Sequence, residues 1–190
     1  MLLVAGTASA QTYFNFGYGL ADNCIKFGSM DTDHPNSNVL FAGVSHNFGL
    51  SNEFGLETGL NFAYDFAKDG LDIAEVKSKY LGFQAPVLFN YAFRLADDFT
   101  VKIFLGPTLS LGLMNKDITF AGGEKMYEVD YYADNSLNRF NVSASAAVAA
   151  EWANTIRLKL GYDYGLTDYD PSDSIKRTEN VLAFTIGYMF

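Results

Sequence analysis

"FGLETGLNFAYDF", residues 54–66, alternates two unlike sets of side chains. Phe54, Leu56, Thr58, Leu60, Phe62, Tyr64 and Phe66 take every second place, with Gly55, Glu57, Gly59, Asn61, Ala63 and Asp65 between them. A period of two puts these sets on opposite faces of one long strand. The same alternation recurs at 81–93 (Leu81, Phe83, Ala85, Val87, Phe89, Tyr91, Phe93) and at 99–113 (Phe99, Val101, Ile103, Leu105, Pro107, Leu109, Leu111, Leu113). It returns at 140–152 and 156–166, at both ends of the chain (14–20 and 182–190) and, more weakly, at 38–48. The pattern predicts about eight strands, most of them long enough for the tilted run of about 9–11 residues that crosses a bilayer core. Strands in soluble domains usually stop at about 5 or 6 residues.

The predicted connections alternate strictly in length. Those at 49–53, 94–98 and 153–155 are tight, whereas 21–37, 67–79, 114–139 and 167–179 are longer and rich in Asp, Asn and Gly. Antiparallel strands joined this way collect the short turns and both termini at one end and the long loops at the other. For an outer-membrane barrel the short end is expected to be periplasmic and the long loops extracellular.

A soluble barrel and a membrane barrel share this pattern and differ in which face meets water. A wet exterior would be full of Lys and Glu, whereas the inside of an eight-stranded barrel holds small groups and a few interlocked charges. Here the polar face is mostly Gly, Ala, Ser, Thr and Asn, and the apolar face is crowded with Phe, Tyr, Leu and Val. Aromatics near strand ends, including Tyr64, Phe66, Phe99, Phe140, Trp152, Tyr162 and Tyr188, suit girdles at the membrane interfaces. The expected fold is all-β, an eight-stranded antiparallel up-and-down transmembrane β-barrel. The final Phe190, closing the run Leu182, Phe184, Ile186, Tyr188, has the form of the C-terminal assembly signal of bacterial outer-membrane barrels.

Composition agrees. The chain has 190 residues, 16% of them aromatic and 18% charged, with a net charge of −9. That suits one domain, and without a basic patch it excludes nucleic acid as a partner. The start, MLLVAGTASAQ, reads as the remnant of a secretory signal over residues 1–10, cut before Gln11, with residues 11–190 as the barrel. Cys24 is the only cysteine, so no disulfide within the chain and no cysteine-based zinc site can form.

The stretches AGVSHNFGLSNEFGLETGLNFAYDF, YLGFQAPVLFNYAF, FLGPTLSLGL and LGYDYGLTDY resemble successive blocks of the PorT-like outer-membrane β-barrel family common in Bacteroidota. The likeness spans roughly residues 40–190 and is one of block order and spacing. The family usually has a basic residue after the Pro-containing block, where Phe89-Asn90 stands here. The resemblance implies a small outer-membrane barrel without a common activity, the best-known relatives of which assist a protein secretion system.

Lumen-facing charges near the short turns, Glu57, Lys102, Glu151, Arg157 and Lys159, with Arg94 at a turn, predict a hydrogen-bonded ion-pair network that plugs the pore. Such a network can be a gate, a proton path or plain lumen packing, and packing is the expectation. A lipid-directed Ser/His pair is not expected, because Ser45 and His46 are adjacent and point to opposite sides. A rim hydrolase or acyltransferase would have to draw on Asp31, Asp33, His34, Asp168, Asp170 and Asp173. Asp168, Asp170 and Asp173 could alternatively gather Ca²⁺, without the Gly and distal Glu of a dedicated loop. Tyr127, Tyr131 and Tyr132 in the third long loop suit contacts with a protein or glycan, or a loop folded over the barrel mouth. The expected role is therefore non-enzymatic, structural or interaction-based, without a cofactor. The expected partners are outer-membrane lipid and an envelope protein met through the loops or periplasmic turns. The alternative is a narrow pore, with Ser143, Ser145, Ala147 and Ala149 leaving room on one lumen wall.

Overall fold

The computed structural model describes residues 10–27, 30–31, 36–71, 74–171 and 175–190. The chain forms β1 (Ala10–Phe27), β2 (Met30–Asp31), β3 (Asn36–Gly49), β4 (Phe54–Leu71), β5 (Ala74–Ala96), β6 (Phe99–Ala121), β7 (Glu124–Asp130), β8 (Phe140–Trp152), β9 (Ile156–Gly165) and β10 (Ile175–Met189). Eight of these run in the order β1-β3-β4-β5-β6-β8-β9-β10, each antiparallel to the next. β10 then pairs back onto β1, from Tyr13 opposite Met189 to Phe27 opposite Ile175, and closes the ring. The short β2 and β7 pair only with β1 and β6 and stand outside it.

Burial follows the alternation. Along β6, Ile103, Leu105, Leu109, Leu111 and Leu113 are exposed while Lys102, Phe104 and Thr108 between them are buried. The same inversion holds around the ring, with Phe14, Phe16, Leu60, Phe89, Leu160 and Phe184 outside and Asn15, Ser45, Glu57, Asn141, Arg157 and Thr185 inside. The apolar belt is the exterior. The interior is less uniformly small than its sequence suggests, since Tyr13, Phe41, Leu88 and Phe104 are also buried. Phe41 fits because its ring lies where a side chain at Gly17 would be. Such pairings of a large group with a glycine fill a narrow barrel without voids.

The long connections differ from the expectation. Much of 67–79 and 114–139 is strand, because β5 and β6 each run for 23 residues. At about 3.3 Å per residue each is roughly 75 Å long, so about half of it projects past the roughly 30 Å apolar core of a bilayer. In the projecting part, Lys68 pairs with Glu75 at 2.7 Å and Lys77 with Glu75 at 2.9 Å, and the Lys77 ammonium lies 4.6 Å over the Phe120 ring. β6 turns into β7 at Gly122-Gly123, both with positive φ (59° and 85°), as a two-residue hairpin turn requires. The tight connections at 50–53, 97–98 and 153–155 gather at the opposite end with the described termini, where the Phe190 amide donates to the Thr12 carbonyl at 3.1 Å. The two ends are called the ribbon end and the turn end below. Of the candidate signal remnant only Ala10, at the start of β1, lies within the described residues.

Candidate functional site

Near the turn end four strands each send a charge inward. Glu57 comes from β4, Lys102 from β6, Glu151 from β8, and Arg157 and Lys159 from β9. Lys102 lies 2.7 Å from Glu151, and Lys159 lies 2.9 Å from Glu57. Arg157 pairs with Glu57 and reaches Glu151 at 3.9 Å. It also donates to Asn15 at 3.0 Å and Ser45 at 3.1 Å, and its guanidinium stacks 3.9 Å over the Tyr13 ring. The Tyr13 hydroxyl donates to Glu151 at 3.0 Å, Lys102 donates to Gln11 at 2.9 Å, and the Lys159 ammonium sits 4.4 Å over Phe104. Three cations and two carboxylates are thus cross-linked through the lumen, each charge paired as a low-dielectric site demands, with only the Arg157 Nε left without a hydrogen-bond partner among the described residues of the plug. Arg94 is not part of this plug. It is exposed on the rim of an open vestibule of about 580 Å³ at the turn end, where the bulge between Arg94 and Ala96 ends the regular inward alternation.

Above the plug, a cavity of about 360 Å³ lies at the ribbon end, with Asp65, Tyr80, Asp117, Tyr131, Tyr169 and Glu179 in its lining. Residues 131–139 and 166–171 join across the mouth, the Asn138 amide donating to the Tyr169 carbonyl at 2.7 Å and its side chain to the Asp168 carbonyl at 3.2 Å. Ser37 donates to Asp65 at 2.9 Å and Tyr131 to Asp117 at 2.7 Å. Burial, with the Asp117 carboxylate beside it, pushes the Tyr131 hydroxyl up to about 12, and burial lifts Tyr169 well above the ordinary tyrosine value. Both remain neutral phenols at physiological pH. Two smaller spaces continue downward. One of about 20 Å³ is lined by Asn141, Asp163, Tyr169 and Glu179, and one of about 80 Å³ by Asn61, Asp163, Lys159 and Thr185.

The loop tyrosines divide. Tyr127 is 65% exposed on β7, Tyr131 is bound to Asp117, and Tyr132 is only 2% exposed. Tyr132 is therefore withdrawn from any partner: its ring lies under the Arg139 guanidinium at 4.8 Å and fills the space that Gly112 leaves by having no side chain. Asp168 accepts the backbone amides of Asp170 at 2.9 Å and Arg177 at 2.8 Å, and Asp170 pairs with Arg177 at 3.5 Å. These two carboxylates hold their loop onto β10. Among the described residues no group of three or more His, Cys, Asp or Glu side chains could hold a metal ion. Asp33, His34, Asp173 and the side chain of Asp31 lie outside the described residues. His46 bonds Thr12 at 2.9 Å while Ser45 bonds Asn15 inside the ring at 2.9 Å, so the two side chains diverge. Sequence reasoning missed Tyr80, Tyr169 and Glu179. Two of them carried a signal: Glu179 is in phase with the inward Val181, Ala183 and Thr185, and Tyr80 with Gly82 and Gln84.

The family model described as an outer membrane protein beta-barrel domain matches residues 8–170. The chain belongs to this family. It is a β-barrel of the bacterial outer membrane. Comparison with curated proteins finds no match. Solved structures similar to this outer-membrane barrel include Ail, the attachment invasion locus protein of Yersinia pestis, at 14% identity, 95% of this chain, 99% of that chain and a TM-score of 0.40. Neisserial surface protein A stands at 15% identity, 93% and 97% coverage and a TM-score of 0.46. The outer membrane protein OprG from Pseudomonas aeruginosa stands at 12% identity, 97% and 98% coverage and a TM-score of 0.46.

The exterior of the outer-membrane barrel is accordingly its lipid face. Aromatic side chains cluster near the turn end, with Phe54 against Tyr91 at 4.9 Å, Tyr91 against Phe93 at 4.7 Å and Phe99 against Trp152 at 5.8 Å between ring centres. Tyr64 stacks on Phe66 at 5.8 Å toward the ribbon end. Interfacial rings of this kind fix the depth of a barrel in the bilayer. Beyond them, β7 is held to β6 by charge: Lys116 lies 2.9 Å from Glu128 and 3.3 Å from Asp130, and Lys125 also pairs with Glu128. Hydrogen bonds from Lys125 and then Lys116 pull the Glu128 carboxyl from 4.5 down to about 2. A depressed acid stabilises above its unfolded value and loses that contribution as pH falls through the folded one. The protection factors of the β7 amides, their exchange rates divided into those of the unstructured chain at the same pH, should therefore be constant above pH 4.5 and decline as the pH falls toward about 2. Glu128→Gln should reduce that acid step to the part carried by Asp130, whose carboxyl the Ala133 amide and Lys116 also hold low.

Proposed function

We propose that this protein is a non-enzymatic outer-membrane barrel with a structural or interaction role, an accessory subunit of an envelope or secretion complex. The PorT-like resemblance implies no common activity, but its best-known relatives assist a protein secretion system. The reading rests on the filled lumen: the ion pairs from Lys102–Glu151 to Arg157–Glu57–Lys159 join β6, β8, β9 and β4 across the bore, with Tyr13 and Phe104 packed against them. With the bore plugged near the turn end, the surfaces that can meet another protein are the projecting β4–β5 and β6–β7 ribbons at one end and the short turns at the other. The ribbons are assigned to the cell exterior, and the turns and both termini to the periplasm, on the usual order of long and short connections in such barrels.

The test is cross-linking in the native outer membrane, purification in mild detergent and mass spectrometry of what accompanies the barrel. A stoichiometric partner is expected, lost when the β6–β7 ribbon or the turns are altered; a solitary monomer counts against the role. A narrow pore is the second reading, favoured by the spaces of about 20 and 80 Å³ that extend the ribbon-end cavity down to Lys159. Planar-bilayer recording separates the two. The wild type is expected to be closed, and a gate would make Lys102→Ala or Glu57→Ala conduct. Silent bilayers with both variants would dispose of the gate.

A further inference from the structure

We propose that the ribbon-end cavity is a binding site for a small organic cation, an ammonium or guanidinium carried on a compact apolar or aromatic body. At about 360 Å³ it falls within the roughly 300–1,000 Å³ of small-molecule pockets, and the loops joined at Asn138 and Tyr169 border its mouth. Its floor asks for positive charge. Glu179 lines both this cavity and the space beneath it, and the charged groups acting on its carboxylate are two more carboxylates, Asp65 and Asp163. Among the described residues, Asp65 has a single side-chain donor, Ser37, and no cation acts on it. An enclosed carboxylate is costly without a donor or a counter-charge, and a ligand ammonium supplies both.

The two cations in the lining do not fill this role. Arg177 is turned to Asp170 at 3.5 Å, and Lys79 lies on the outward register opposite Phe66. Neither acts on Glu179. Tyr80, Tyr131 and Tyr169 also line the cavity, and aromatic rings attract cations through their quadrupoles. A separate observation points the same way. Asn141 is 4% exposed, lines the lower space beside Glu179 and Asp163, and has a side-chain nitrogen without a protein partner. A buried donor left without an acceptor marks a polar chamber with room for a water, beside which the charged head of a guest can lie against the two acids. A bare metal ion is a poorer occupant, since no cluster of three ligating side chains stands there among the described residues.

The experiment uses the full barrel in uncharged maltoside micelles at neutral pH, titrated with 2-phenylethylamine, with 2-phenylethanol and with 3-phenylpropanoate, and read by calorimetry and amide NMR. The amine should bind at about millimolar concentration or tighter and shift resonances around Tyr80 and Glu179, with the alcohol and the acid at least about tenfold weaker. Glu179→Gln should weaken the amine by about tenfold or more and leave the alcohol unchanged, while heat-shifted gel mobility reports an intact barrel. Should that variant fail to fold, Asp65→Asn carries the same reading. Equal binding of amine and alcohol, unaltered amine affinity in the folded variant, or no binding of the amine by the wild type overturns the proposal.

Discussion

Replacing Glu57 with Gln should lower the unfolding free energy of the barrel by about 3–5 kcal/mol, more than replacing Arg157, although Arg157 makes more contacts. The reason is charge balance inside the plug. Lys102, Arg157 and Lys159 form their ion pairs with Glu57 and Glu151, and Asp163 adds only a more distant pull on Lys159. Without the Glu57 carboxylate, Arg157 at 1% and Lys159 at 15% side-chain exposure are left to Glu151, which Lys102 already holds at 2.7 Å. Three cations would then share one paired anion, with Asp163 acting on Lys159 alone. Arg157→Met instead leaves two closed pairs, Lys159 with Glu57 and Lys102 with Glu151, and its loss is limited to the stack on Tyr13 and the bonds to Asn15 and Ser45. The double variant should recover part of the Glu57→Gln loss, because it removes one stranded cation. Urea unfolding in lipid vesicles, followed by the single tryptophan, Trp152 in the turn-end girdle, reads all three. If Arg157→Met were the more damaging, contact number rather than charge balance would govern the plug.

The same plug shows how much of the architecture can be read from residue order alone. Alternation is a local property, so the lipid face, the inward charges Glu57, Lys102, Glu151, Arg157 and Lys159, and the strict order of short and long connections were all legible. Pairing beyond the membrane was not. Past Phe66 and before Leu81 the strands carry Lys68, Asp69, Lys77 and Ser78, and without an apolar face a strand looks like a loop until its partner is known. The Gly122-Gly123 turn was readable as a hairpin signal and passes unnoticed inside a segment treated as loop. Phe41 and Phe104 sit on the inward phase against the general trend, and only the ring supplies the reason: Phe104 roofs the Lys159 ammonium, and Phe41 occupies the space at Gly17. The ribbon-end cavity is more remote still, because Asp65, Tyr80, Asp117, Tyr169 and Glu179 belong to β4, β5, β6, the β9–β10 connection and β10. No short window of sequence holds two of its acids. Arg94 failed for the opposite reason, since proximity to a turn in sequence says nothing about direction once a bulge intervenes.

Gly43→Ala should cost about 3 kcal/mol or more, while Gly161→Ala, equally inward and on the other side of the ring, should stay within about 1 kcal/mol. Both substitutions add one methyl to the lumen and both reduce the freedom of the unfolded chain by the same small amount. They differ in what the methyl meets. At Gly43 it would collide with the Leu60 carbonyl oxygen and the Asn61 side chain and come within 2.6 Å of the Asn61 Cα. Across the same hairpin a methyl at Gly59 would lie 2.7 Å from the Val44 carbonyl oxygen and 3.1 Å from the Ser45 Cα. Backbone cannot swing aside as a side-chain end can, so β3 and β4 would have to separate at this close approach. An eight-stranded ring needs such tight places, because its small circumference crowds the inward Cβ positions, and paired glycines relieve the crowding at this hairpin. At Gly161 the new methyl would touch only the Ala147 methyl at 3.3 Å and the Ala146 carbonyl oxygen at 3.7 Å, which a few tenths of an ångström of movement accommodates. The same urea assay compares them, and heat-shifted gel mobility shows whether the ring has closed. Equal stability of the two variants would mean that the β3–β4 approach is slack rather than the place where the ring bends.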